Sequence, residues 1–392
     1  MNIKKILPLF LSIVLLISPS MTASAVRTDV EAVSLGVELS LFSESALLME
    51  ASTGEVIYEK NADERLEPAS VTKVMSLLLI CEALDDGVIS LSDMVTGSDK
   101  ASSMGGSQIW LEVGEQMSVD DMLKAMVVVS ANDCTVAMSE HLAGSEESFV
   151  AKMNEKAAEL GMKNTHFVNC TGLPVEGHYT CARDIAIMTR ELLKHEVILN
   201  YTNIWMDSLR GGAMGLSNTN KLIRFYPGAN GMKTGYTSSA KYCLSATAKR
   251  DGMQLIGAVM KAPTSDERFQ DAKKLLDFGF ANFSVYNTEV TELPEMRIKG
   301  GVKPYAPVEY AAKEILVAKG REKQIETYMQ LLDEVKAPVK AGDVVGKMIY
   351  KIGEETVAEV DVVMSEDVSR MGFGDVIRRI FTGTMAMRLK IR

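Results

Sequence analysis

Leu66-Glu67-Pro68-Ala69-Ser70-Val71-Thr72-Lys73-Val74-Met75-Ser76-Leu77-Leu78-Leu79 is the most informative stretch of this 392-residue chain. From Val71 to Leu84 the residues are apolar or helix-favouring with no Gly or Pro, so a buried helix beginning near Pro68-Ala69-Ser70 is expected. Residues i and i+3 share a helix face, which puts the Lys73 amine within reach of the Ser70 hydroxyl. With Val74 to Leu79 around it, Lys73 should be desolvated. Burial lowers a lysine pKa toward the neutral amine that a general base requires. Taken alone, Ser-x-x-Lys is a pattern that chance supplies on many solvated helices.

Two further elements change its weight. Ser130-Ala131-Asn132 follows the apolar run Met126 to Val129, and Lys233-Thr234-Gly235 lies between Gly231 and a strand-like segment. Either tripeptide alone is noise. The ordered set S-x-x-K, S-x-N, K-T-G, with its serines 60 residues apart and Lys233 a further 103 on, is a joint signature of acyl transfer through an activated serine. Chemical need distributes the roles. Ser70 is the nucleophile and Lys73 its base. Ser130 passes a proton to the leaving nitrogen, and Asn132 bonds a substrate amide and the Lys73 amine. Lys233 supplies positive charge for a carboxylate, and Thr234 a hydroxyl for it. There is no Gly-x-Ser-x-Gly elbow and no His-Glu-x-x-His, and the four histidines are scattered. No metal or other cofactor is expected.

Around these elements the pattern reads as α+β. Ala46 to Lys60 suggests two strands about Ser52-Thr53-Gly54, and Ala240 to Ala248 with Met253 to Met260 a second pair. Val119 to Leu142 and Ser148 to Leu160 read as helical, giving a helical cluster on a mainly antiparallel sheet. Composition shifts near residue 284 to a smaller β-rich domain, 285–364. The five cysteines fall in no metal-ligand spacing; they read as small core residues, with a Cys170–Cys181 bridge the alternative.

The two ends differ from the middle. Lys4 and Lys5, an apolar run from Ile6 to Ile17, and Ala23-Ser24-Ala25 form a signal-peptide pattern over 1–25, with an uncleaved anchor the alternative. Removing 1–25 leaves 40 basic against 52 acidic residues, or −12. An acidic chain without a basic block is unsuited to nucleic acid. At the other end, Phe373, Val376, Ile377, Ile380, Phe381 and Met385 recur at helical spacing. From Glu366 onward six basic residues stand against three acidic ones. The tail 365–392 therefore reads as an amphipathic helix for a membrane surface rather than one packed on its own domain.

These motifs resemble those of the serine D-alanyl-D-alanine carboxypeptidases among the low-molecular-mass penicillin-binding proteins. The likeness runs from about Ser45 to the tail and includes Met104-Gly105-Gly106-Ser107, Thr171-Gly172-Leu173-Pro174 and Lys233-Thr234-Gly235-Tyr236-Thr237. Ala337-Pro338-Val339-Lys340-Ala341-Gly342-Asp343 extends it beyond residue 284. The resemblance implies a penicillin-binding/β-lactamase-like catalytic domain (26–284), a small C-terminal β-sandwich and a membrane-associating tail. It also implies an exported enzyme removing the terminal D-alanine from peptidoglycan stem peptides, with β-lactam antibiotics as acylating inhibitors. The Ser70 and Tyr236 N–H groups would form the oxyanion hole, beside Gly235, and Arg268 would help hold the substrate carboxylate. A β-lactamase, a D,D-endopeptidase and a non-catalytic wall-binding protein are the rival readings. Glu196-Val197-Ile198-Leu199-Asn200 matches the deacylating E-x-x-x-N of one β-lactamase group, but it falls 66 residues after Ser130 and reads as a decoy.

Overall fold

A computed structural model describes residues 38–378. The expected signal segment and residues 379–392 of the tail lie outside that range. A five-stranded sheet organises the first part: β1 (Ser45–Glu50), β2 (Val56–Lys60), β3 (Ala229–Thr237), β4 (Lys241–Arg250) and β5 (Met253–Ala262). The spatial order is β2-β1-β5-β4-β3, antiparallel throughout.

All six residues of β1 are buried, and alternation divides them between two cores. Leu47 and Met49 face a helical cluster of α1 (Lys73–Asp85), α2 (Val119–Val128), α3 (Asn132–Ala143), α4 (Glu146–Glu159) and α5 (Ala182–Leu192). Ala46 and Leu48 face α6 (Ser265–Asn282), which presents Ala272, Leu275 and Leu276. Burying each such leucine contributes about 1.5–3 kcal/mol. Thr264 caps the start of α6: its Oγ1 accepts from Glu267 N–H at 3.2 Å and donates to the Glu267 carboxylate at 2.8 Å. Helix α1 is buried nearly all round, as expected of a helix at the centre of a cluster.

Val119 to Leu142 is not one helical run. The chain breaks at Val129-Ser130-Ala131, where Ser130 takes φ +65° and Asn132 N–H turns to Ser107 O at 2.7 Å. Continuous apolar composition hides that break, because both helices bury residues on either side of it.

The C-terminal part is β-rich. Strands β6 (Phe283–Asn287) and β7 (Glu314–Ala318) pair, and Phe283 and Leu316 still belong to the α6 core. A four-stranded sheet then runs Val308–Glu309, β10 (Glu355–Met364), β9 (Val344–Ile352), β8 (Ile325–Leu331). A small sheet around Met296–Lys299 closes over it, and Met296, Ile298, Tyr350, Val362 and Val368 form a separate core. Val368 bridges to Val339 and Arg370 to Gly301, so the tail's first residues pack on this lobe. Beyond them residues 373–378 are helical, with Phe373 83% exposed. Among the described residues no helix is long and apolar enough to cross a membrane. All five cysteines are free and buried, so Cys170 and Cys181 are not bridged.

Candidate active site

Ser70 sits in a short 3-10 turn, Ala69–Thr72, that runs into α1. One turn on, Lys73 is 0% exposed. Its Nζ donates to Ser70 Oγ at 3.1 Å, Asn132 Oδ1 at 2.6 Å and the Thr171 carbonyl at 2.8 Å. Burial lowers the Lys73 amine to about 7, opposed by the more distant Cys170 and Asp133. In its neutral form the amine keeps two N–H groups for Asn132 Oδ1 and the Thr171 carbonyl and turns its lone pair to the Ser70 hydroxyl, whose proton it can take.

The broken helix supplies the opposite wall. Asn132 opens α3, and its Nδ2 donates to Gly105 O at 2.7 Å, which fixes Oδ1 toward Lys73. The buried Asp133 beside it accepts from the Ile109 and Leu111 N–H groups at 2.9 and 3.0 Å, tying the 105–111 loop to the same helix end. Ser130 is buried, and its Oγ has no hydrogen-bond partner among the described residues. An unpaired buried hydroxyl is costly, and this one remains available to bond a further group.

Strand β3, at the edge of the sheet, forms the third wall. A Cβ on Gly235 would lie 2.7 Å from Pro68 O and 3.0 Å from Ser70 N, so only glycine lets the strand pass this close to the turn. Lys233 is 1% exposed, its Nζ bonded to Thr234 O at 3.0 Å. Burial first, then Lys73 and Arg268, push its amine well down. Two buried ammonium groups cannot both be charged cheaply without an anion. Thr234 Oγ1 pairs with Thr219 Oγ1 at 2.7 Å. The Tyr236 ring is exposed and stacks on Tyr242, with centroids 4.4 Å apart.

Arg268 reaches the same strand by a route the sequence did not suggest. Its Nη1 donates to Gly235 O at 3.2 Å and Cys243 O at 3.3 Å, and its Nη2 to Ser265 Oγ at 3.3 Å. The guanidinium thus grips the backbone of β3 and β4, and burial lowers its pKa to about 10. The Glu196-containing stretch is elsewhere. It forms short helical turns after His195, which pairs with Asp85 at the far end of α1, about 20 Å of helix away from Lys73.

Sequence reasoning assigned no role to Thr171, Gly105, Asp133 or Thr219. The first two act through backbone carbonyls, which leave no side-chain signature beyond the Gly105-Gly106 and Thr171-Gly172 turns.

Comparison with known proteins places this arrangement. The family described as D-alanyl-D-alanine carboxypeptidase matches residues 31–264, and the penicillin-binding protein 5 C-terminal domain matches 305–370. D-alanyl-D-alanine carboxypeptidase DacF of Bacillus subtilis is 46% identical over 352 residues, spanning 87% of this chain and 90% of the relative. DacC of Escherichia coli is 33% identical, over 90% and 89%. The crystal structure of penicillin binding protein 5 from Haemophilus influenzae superposes with a TM-score of 0.79 at 31% identity, covering 85% of this chain and 99% of that one. Penicillin-binding protein D2 of Listeria monocytogenes, solved in its ampicillin-bound form, matches 62% of this chain and 100% of its own at 32% identity and a TM-score of 0.57. With S-x-x-K, S-x-N and K-T-G gathered around one buried amine, and with both family matches in chain order, this chain belongs to the serine-type D-alanyl-D-alanine carboxypeptidases.

Proposed function

We propose that Ser70 Oγ attacks the carbonyl between the two terminal D-alanines of a peptidoglycan stem peptide. The observation that carries this is Lys73 Nζ, fully buried, lowered to about 7 and 3.1 Å from Ser70 Oγ. Lys73 takes the hydroxyl proton as the Oγ–C bond forms. As the C–N bond breaks, Ser130 Oγ gives its proton to the departing D-alanine nitrogen and is reprotonated from Lys73. Water activated by Lys73 then adds to the ester, releasing the shortened peptide and restoring Ser70. The Ser70 and Tyr236 N–H groups hold the oxyanion, each donor worth about 2.7–4 kcal/mol. Asn132 bonds the substrate amide. The substrate carboxylate meets Lys233 and Thr234, and its negative charge favours the protonated amine of Lys233, which burial disfavours. Arg268 helps hold that carboxylate with its charge, and its hydrogen bond to the Gly235 carbonyl keeps the strand in place.

A β-lactam carries a strained amide and a carboxylate in a comparable arrangement, so it acylates Ser70 and stays. The wider organisation follows: export by residues 1–25, catalysis by 26–284, a β-rich spacer over 285–364, and action on the outer face of the cell membrane. There the exposed Phe373, Val376 and Ile377 of the tail meet lipid.

Labelling with a fluorescent penicillin followed by mass spectrometry tests the site. The adduct should map to Ser70 and vanish in Ser70→Ala, which should also lose D-alanine release from diacetyl-Lys-D-Ala-D-Ala. Penicillin hydrolysis at many turnovers per second would instead mark a β-lactamase. Cleavage of cross-linked muropeptides in preference to pentapeptides would mark an endopeptidase.

A further inference from the structure

The turn that carries Ser70 is held in an unfavourable shape by residues that do not touch the substrate. Ala69 takes φ +48°, in the left-handed region that favours glycine. Its carbonyl presses against Gly172, where a Cβ would lie 1.9 Å from the Ala69 oxygen. Thr72 Oγ1 donates to that same carbonyl at 2.9 Å. Behind Thr72 stands His178, whose Nε2 lies 2.8 Å from Thr72 Oγ1. The direction of this last bond is settled by the other side of the ring. Val168 N–H donates to His178 Nδ1 at 3.1 Å, so Nδ1 is an acceptor and the ring proton sits on Nε2. The relay is therefore directional: Val168 N–H to His178, His178 Nε2–H to Thr72, Thr72 O–H to Ala69 O.

A peptide unit is planar and trans, so its C=O and N–H point in opposite directions. Fixing the Ala69 carbonyl fixes the Ser70 N–H, which lies on the side where β3 passes at Gly235. We propose that His178 is a positioning residue that, through Thr72 and the Ala69 carbonyl, aims the Ser70 N–H at the oxyanion. The imidazole is suited to this. It is 4% exposed, packed edge-on against Phe167 with centroids 5.9 Å apart, and burial keeps it neutral by lowering its pKa to about 4. Its two nitrogens serve one donor and one acceptor, which no aliphatic residue can do. The inference rests on Ser70 being the nucleophile.

The test compares His178→Phe and Thr72→Val with the hydroxyl-keeping Thr72→Ser and the amide-bearing His178→Gln. The penicillin acylation rate, kcat and KM for diacetyl-Lys-D-Ala-D-Ala, and Tm are measured for each. Thr72→Val is near-isosteric and keeps the question answerable if His178→Phe folds poorly. Thr72→Val and His178→Phe should each slow acylation and lower kcat about 10-fold, short of the roughly 10²–10³-fold loss when an oxyanion donor is removed. KM should stay within about 2-fold of wild type. Thr72→Ser and His178→Gln should recover most of the rate, and the double variant should be no slower than the slower single one. Wild-type acylation in folded Thr72→Val, additive losses in the double variant, or a loss confined to KM would overturn the proposal. Ser70→Ala run in parallel separates the two ideas. If it still acylates, the nucleophile assignment falls; if it is dead while Thr72→Val is unimpaired, only the positioning role falls.

Discussion

Lys73 is where the burial of one residue becomes chemistry. Its amine is lowered to about 7 by desolvation, so the neutral form needed to take the Ser70 proton gains population as pH rises through that value. We expect kcat/KM for D-alanine release to climb across a limb near pH 7, and Lys73→Ala to abolish the limb and cost about 10²–10⁴-fold, as read from a pH–rate profile. Lys73 when protonated also pushes down the proton affinity of the buried Lys233. The same shift has a sign for stability. A lysine whose folded pKa lies below its unfolded value destabilises the fold fully below pH about 7, and that cost is relieved as pH rises toward the ordinary lysine range. At this scale the sequence was informative where chemistry needs a particular side chain. Ser70, Lys73, Ser130, Asn132 and Lys233 could be picked out by type and order. Thr171 could not, because its contribution is a carbonyl that any residue possesses, and the hold of Arg268 on the β3 and β4 backbone could not, because sequence reveals a charge but not the direction of its stem.

Among the elements, two junctions decide the site: the break between α2 and α3, and the passage of β3 against the Ser70 turn. Both are invisible to hydrophobic periodicity, which read Val119 to Leu142 as a helical run because burial continues through Ser130. The strands around Ser52-Thr53-Gly54 and Lys249 to Gly252 were legible because turn residues punctuate them. Two variants probe the junctions. Ser130→Gly removes both the hydroxyl and the cost of a side chain at φ +65°. It should be more stable to denaturant than Ser130→Ala by about 1 kcal/mol, while both lose acylation. Gly235→Ala forces a methyl to within 2.7 Å of Pro68 O, and the strand must retreat. Its penicillin acylation rate should fall at least about 10-fold, since a displacement of roughly 1 Å can cost about 10²-fold.

The whole molecule joins a chemically equipped lobe to a β-rich lobe and a short exposed helix. Within the tail read from residue 365, Val368 is buried against Val339, and only from residue 373 does the apolar side face solvent. Composition registers residue type and not the last bridge of a sheet. Protein ending at Arg370 should therefore keep its core, acylate at the wild-type rate and fail to float with anionic lipid vesicles, whereas the full-length chain from residue 26 should float. Equal flotation of the two would show that the tail is not the anchor. The buried cysteines give this architecture a further use. Burial raises Cys81 and Cys181 to about 12 and Cys243 to about 11, and puts Cys134 and Cys170 higher than ordinary thiols as well. Closed, the protein offers alkylating reagents almost no thiolate. Any modification then records a moment of opening. Cys170 immediately precedes the Thr171 carbonyl that holds Lys73, and Cys134 lies two residues beyond Asn132. The enzyme thus carries native reporters, already in place, of how often its own active site comes apart.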